Sequence, residues 1–224
     1  MNRTPYADRG DAGRVLARAL HSYRRAPGLV VLALPRGGVP VAAVVADELG
    51  CPLDILAVRK VGMPDQPELA MGAIASVTEA VETVTNEEVL RQLRRRGRDV
   101  SGFDDVVARE MVELRRRQQA YRAGRPAPEL AGRTVILVDD GLATGATMRA
   151  AVRAARREKP RRVVVAAPVA LGDTASELAR VADGVVCPWV APHLNAVGQA
   201  YERFDQTTDA EVRRILDAAW RSSG

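Results

Sequence analysis

The chain has 224 residues, a length that suits one α/β domain and buries a sizeable core without disulfides or metals. Hydrophobic residues make up 47% and charged residues 27%, which excludes a mainly disordered chain, and no apolar run reaches the roughly 18 residues that span a bilayer. The formal charge is +5; only Lys60 and Lys159 are lysines, so the basic surplus is arginine. Acids accompany many of these arginines at helical spacing, as Glu113 does Arg117, and the surplus is read as salt-bridged surface helices in preference to a nucleic-acid interface. Two cysteines, Cys51 and Cys187, form neither a metal-ligand spacing nor a disulfide framework. With no apolar leader at the N-terminus, the expected location is the cytoplasm.

In chain order, residues 8–24 place Ala12, Val15, Leu16, Ala19, Leu20 and Tyr23 on one helical face. Residues 29–34 are continuously apolar, as in a strand buried on both faces, and end in Pro35-Arg36-Gly37-Gly38. A helix follows, with Pro40 in its first turn and Gly50 as its stop. A second strand is expected over 53–58, ending in Arg59-Lys60. Residues 61–72 carry two prolines and two glycines and read as a loop, followed by a short hairpin over 74–84. Asn86, with Glu87 and Glu88, is a helix N-cap signal. Residues 86–96 and 103–122 then read as a helical pair that interrupts the strand–helix rhythm, an insertion over 86–123. After a linker at 124–128 come a strand at 134–138, a helix at 147–158, a strand at 162–169, a helix at 173–182 and a short strand at 184–187. Thr208-Asp209-Ala210-Glu211 is a capping-box pattern opening a last helix. The expected architecture is one domain over 1–224. It has about five parallel strands with helices on both faces, and a hood plus terminal helix over 188–224.

The strongest chemical signal is the run from Val135 to Thr147. A buried strand delivers Asp139 and Asp140 at its C-terminal end, and a Thr-Gly-Ala-Thr turn opens a helix. Ligands of open α/β sheets bind at the C-terminal ends of strands, and a helix N-terminus offers N–H groups and a positive dipole end to phosphate. Two carboxylates suit sugar hydroxyls better than phosphate, so the pattern asks for a sugar phosphate. No Gly-Lys-Thr of a Walker loop and no helix-opening G-x-G-x-x-G occurs.

This stretch resembles the 5-phosphoribosyl diphosphate (PRPP) signature of type I phosphoribosyltransferases. The resemblance implies that Asp139 and Asp140 take the ribose hydroxyls. It implies that Thr144, Gly145, Ala146 and Thr147 take the 5′-phosphate, with Gly141, Leu142 and Ala143 completing the loop. It makes Arg36-Gly37-Gly38 the diphosphate loop, with a non-proline cis peptide near Arg36–Gly37, and Arg59-Lys60 a basic pair facing diphosphate. Residues 61–84 would be a lid. Arg36, Lys60, Asp139 and Asp140 become the candidate catalytic residues. The hood would receive a nitrogenous base, with Trp189, His193, Asn195 and Tyr201 as candidate pocket residues. Mg2+ would arrive with PRPP, and Glu202 is the one side chain suggested to organise it. Hypoxanthine- and guanine-using members carry an Asp where this chain has Ala143, and the run looks closer to adenine members. The implied activity is transfer of ribose 5-phosphate to a base of unspecified identity, within nucleotide metabolism. The rival reading is a PRPP-sensing regulator that binds nucleic acid with little turnover; a homodimer built on the helical insertion is a third.

Overall fold

In the computed structural model, residues 4–63, 66–78, 81–85, 90–92, 95 and 102–222 are described. Five parallel strands form the central sheet: β1 (Val30–Ala33), β2 (Leu53–Ile55), β6 (Thr134–Val138), β7 (Arg162–Ala166) and β9 (Gly184–Val186), in the order β2-β1-β6-β7-β9. The expected fold class, a parallel sheet with helices on both faces, is what the chain adopts. Alternate residues of each strand point to opposite faces and feed two cores. Val31 and Ala33 pack with helices α1 (Arg9–Ala19) and α2 (Gly38–Leu49) and with the terminal helix α6 (Asp209–Ser222). Val30 and Leu32 pack on the other side with Met148, Ala151 and Val152 of α4 (Ala146–Arg157).

The order of strands puts β1 beside β6. Ala33 pairs with Val138, and the Leu34 N–H donates to the Val138 carbonyl at 2.8 Å. The two loops singled out in the sequence therefore leave the sheet side by side at its carboxyl edge, where strand order reverses direction.

The second expected strand divides. Only β2 joins the parallel sheet; β3 (Ala57–Met63) turns away into a three-stranded antiparallel sheet with β4 (Gln66–Ser76) and β5 (Val81–Thr85). Residues read as a loop are thus mostly strand, and Ala73, Ala75 and Val84 of this sheet join the core that includes α4. Arg59 and Lys60 lie within β3, opposite Ile74 and Ala73, instead of ending a core strand. Small residues at Gly62, Ala70 and Gly72 accompany two register shifts, which is how a loop-like composition is accommodated in strands. On the outer side lies α3 (Phe103–Arg122), whose Val106 and Leu114 pack with Ala57, Val61 and Ile74. It is the second member of the expected helical pair; most of the first, 86–96 with its Asn86 cap, lies outside the described residues. Arg122, in the last turn of α3, is 5% exposed and bonds Asp54, the Val77 carbonyl and the Ile55 carbonyl.

The strand expected over 162–169 also divides. β8 (Val169–Leu171) pairs with β10 (Trp189–Ala191) outside the main sheet, and the helix expected over 173–182 is the shorter α5 (Thr174–Leu178).

Candidate active site

The site is built where β1 and β6 end. A cis peptide joins Pro35 to Arg36, one bond before the expected position. Gly37 has helical backbone angles that any residue adopts, so its lack of a side chain answers a different need. A Cβ there would lie 2.0 Å from Asp140 Oδ2, and one on Gly38 would lie 2.7 Å from the Val138 carbonyl. The two loops are pressed together through the space that two side chains would fill.

Asp139 and Asp140 are partly exposed at the end of a fully buried strand. Burial pushes the Asp139 carboxyl well above its ordinary pKa, the neighbouring Asp140 charge adds to this, and the Asp140 N–H bond to Asp139 Oδ1 at 2.9 Å opposes it. Burial also raises Asp140, here opposed mainly by Arg9. Arg9 places both Nε and Nη2 2.9 Å from Asp140 Oδ2. Arg9 also donates to the Asp205 carbonyl at 2.7 Å and lies 4.0 Å above the Phe204 ring. Sequence reasoning missed Arg9, which sits 131 positions from its partner; only its place in the first turn of α1, facing the sheet's carboxyl edge, could have suggested it.

Beyond the acids, the loop runs along the surface and back into a helix. The Leu142 N–H donates to Val169 and the Leu142 carbonyl accepts from the Leu171 N–H, which fixes the turn to β8. Ala143 and Thr144 are exposed. Gly145 is the N-cap of α4 with φ +70°, a left-handed angle glycine adopts without penalty. A glycine offers no capping oxygen, so the first N–H groups of α4 receive no side-chain cap from that position. Thr147 lies in the first turn, half-buried. The result is a ready anion cradle: oriented N–H groups, a positive dipole end and two threonines close by. Beside it, β4, β5 and the first turns of α4 line a cavity of about 220 Å³ reached by Arg149 and Arg153.

The hood is assembled from both ends of the chain. Tyr6 bridges to Tyr201, with the Tyr6 N–H donating to Ala200 and the Glu202 N–H to Tyr6. The Tyr201 hydroxyl donates to the Asp140 carbonyl, and its ring packs on Tyr6 and stacks on Phe204. Tyr201 is 6% exposed, a strut beneath the acids with its ring faces covered. Trp189 is half-buried with its ring edge-on to Tyr6, while His193 and Asn195 are exposed. Val197, in a short 3-10 turn (Val197–Ala200), fills the space a Gly141 Cβ would need.

Arg36 Nη1 lies 3.6 Å from Asp209 Oδ1. Arg59 is held by Glu110 of α3, with Nε at 2.6 Å and Nη2 at 2.5 Å. Lys60 is exposed beside Arg59, on the rim of a cavity of about 340 Å³ that Arg109 and Glu110 share. β3 therefore carries Arg59 to Glu110 of α3, on a small cavity that it shares with Pro35 of the first loop. Glu202 is exposed, and no group of three or more His, Cys, Asp or Glu able to hold a metal occurs among the described residues.

Comparison with known proteins bears on what this arrangement is. Two curated proteins of Mycobacterium tuberculosis, from strains H37Rv and CDC 1551, are each 46% identical over 216 residues, and their names propose a phosphoribosyl transferase. The match covers 96% of this chain and 47% of each relative, so the chain spans about half their length. The crystal structure of TT1426 from Thermus thermophilus superposes with a TM-score of 0.77 at 44% identity, over 95% of this chain and 98% of that one. The phosphoribosyl transferase domain family matches residues 8–190, a span that takes in Arg36-Gly37-Gly38, the acid pair and the cradle. This chain belongs to that family.

Proposed function

We propose that the chain binds PRPP across the paired loops and transfers ribose 5-phosphate to a nitrogenous base, releasing diphosphate. The observation that carries this reading is the junction itself: acids, glycine loop and uncapped helix start converge at one point of the sheet edge. The cradle of Thr144, Gly145, Ala146 and Thr147 receives the 5′-phosphate, and Gly141, Leu142 and Ala143 shape the turn. Asp139 and Asp140 accept hydrogen bonds from the ribose 2′- and 3′-hydroxyls. Arg9 matches the Asp140 charge, so the acids stay aimed at hydroxyls without two uncompensated charges facing each other.

Arg36, Gly37 and Gly38 face the diphosphate, and Arg59 and Lys60 approach it from β3. Their positive charge stabilises the negative charge that builds on the leaving group. The C1′–O bond breaks with its electron pair going to diphosphate, the base nitrogen's lone pair forms the new bond, and the nitrogen's proton leaves to solvent. The residues fit Mg2+ only as a substrate-borne ion, with Asp139 or Asp140 as its protein-side neighbours; when bound it supplies leaving-group charge neutralisation. Trp189, His193 and Asn195 at the hood rim are the residues nearest an incoming base, while Tyr201 acts through the Asp140 carbonyl.

Pairing of surface arginines argues against the nucleic-acid reading. Arg116 and Arg117 both bond Glu113, and Arg125, Arg156 and Arg203 bond Asp217, Asp183 and Asp8. Calorimetry with PRPP and Mg2+ tests the reading, followed by a screen of bases for diphosphate release. The Asp139→Asn/Asp140→Asn double variant is expected to lose PRPP affinity by at least ~10-fold, from two charge-assisted hydrogen bonds. Unchanged affinity refutes the ribose assignment.

A further inference from the structure

Helix α3 has no part in the transfer reading, yet it stands behind the diphosphate loop. Its Tyr121 side chain is 2% exposed, and the hydroxyl donates to Asp209 Oδ1 at 2.7 Å. The same oxygen is the one 3.6 Å from Arg36 Nη1. Asp209 is the first residue of α6, where the helix dipole favours an anion, and its carboxyl is held below its ordinary pKa, first by Tyr121 and also by Arg117 and Arg36. A fixed negative charge therefore backs a long side chain that would otherwise sample many rotamers, two residues before the helix that opens at Gly38. Three distant segments meet here: the end of β1, the last turns of α3 and the start of α6.

We infer that Asp209, fixed by the Tyr121 hydroxyl, is a positioning residue that holds the Arg36 guanidinium at the diphosphate end of the site before ligand arrives. Preorganising a charged donor lowers the ordering cost of binding, so the effect falls on the ligand portion that Arg36 meets and on no other. This inference rests on the transfer reading and makes a narrower claim: Asp209 and Tyr121 serve diphosphate, while the cradle after β6 serves the sugar phosphate independently.

The test titrates inorganic diphosphate and, separately, ribose 5-phosphate into the full chain by calorimetry, each with Mg2+. The variants are Asp209→Asn, Tyr121→Phe, Asp209→Glu, Arg36→Ala and the Arg36→Ala/Asp209→Asn pair. Asp209→Asn and Tyr121→Phe are expected to weaken diphosphate about two- to fivefold, the order that a partly exposed ion pair carries, with ribose 5-phosphate unchanged. Asp209→Glu restores part of the loss, and Asp209→Asn adds nothing once Arg36 is Ala. Equal losses for both ligands make Asp209 merely structural and overturn the inference. So does unchanged or tighter diphosphate binding, or a loss that persists in the Arg36→Ala background. A parent chain that binds ribose 5-phosphate but not diphosphate overturns this inference alone; one that binds neither overturns the transfer reading with it.

Discussion

Gly37→Ala tests the claim that the two loops share one space. Backbone strain is not at issue, because φ −60° and ψ −32° suit alanine. The new methyl would lie 2.0 Å from Asp140 Oδ2 and 2.7 Å from Cγ, where ordinary contact begins at 3.4 Å. The carboxylate must retreat by more than 1 Å, and it cannot do so cheaply, since that oxygen receives both Arg9 nitrogens at 2.9 Å. Overpacking costs about 1–3 kcal/mol. Loss of a hydrogen-bonded charge pair adds about 1.5–3 kcal/mol. Gly37→Ala is therefore expected to destabilise by about 2.5–6 kcal/mol, or ~5–24 °C in Tm for a domain of this size. Urea and thermal unfolding measure it. The decisive comparison is the same change in an Asp140→Ala background, where the methyl meets no carboxylate and the cost should fall below ~1 kcal/mol. An equal loss in both backgrounds refutes the shared-space argument.

Two stability predictions follow from charges outside the acid pair. Arg122→Met strands Asp54, whose carboxyl burial raises and Arg122 lowers, and should cost about 3–5 kcal/mol in urea unfolding; adding Asp54→Leu should recover most of it, and no recovery refutes the pairing account. Burial pushes the Cys51 thiol from 9.0 to about 11, and burial with the Asp209 bond pushes Tyr121 from 10.0 to about 12. The folded chain keeps both protons where the unfolded chain has released them. Stability is thus fully present below pH 9 and lost as pH rises towards 11 and 12. Urea midpoints from pH 8 to 11 check the sign, and a flat or rising profile contradicts it.

Legibility in the sequence followed the range of the interactions. The central strands were readable because burial on both faces leaves continuous apolar runs such as 134–138. The acid pair and cradle were readable because their residues are adjacent in sequence. Residues 61–72 read as a loop because Gly62, Gly72 and Pro67 imitate one, while the strand pairing that overrides them is set by packing against α3 and α4. Residues 162–169 read as one strand because nothing local marks the point where β7 leaves the sheet and β8 begins. Arg59 and Lys60 looked like a strand terminus for the same reason: no local signal tells where β2 leaves the parallel sheet and β3 begins.

What stayed hidden shares one cause. Arg9–Asp140, Tyr121–Asp209–Arg36 and Tyr201–Asp140 all join residues 61 or more positions apart, and Arg9, Tyr121 and Asp209 are ordinary helix residues in isolation. A half-buried carboxylate pair is costly to keep charged, so a chain that retains one must supply a cation or donors from wherever the fold brings them. Here the fold brings the N-terminal helix to Asp140 and the terminal helix to Arg36. The two acid–arginine contacts run in opposite senses, Arg9 neutralising an acid of the ribose loop and Asp209 neutralising an arginine of the diphosphate loop. Exchanging charge in this way lets a dense cluster of acids and arginines persist at one sheet edge before any ligand enters.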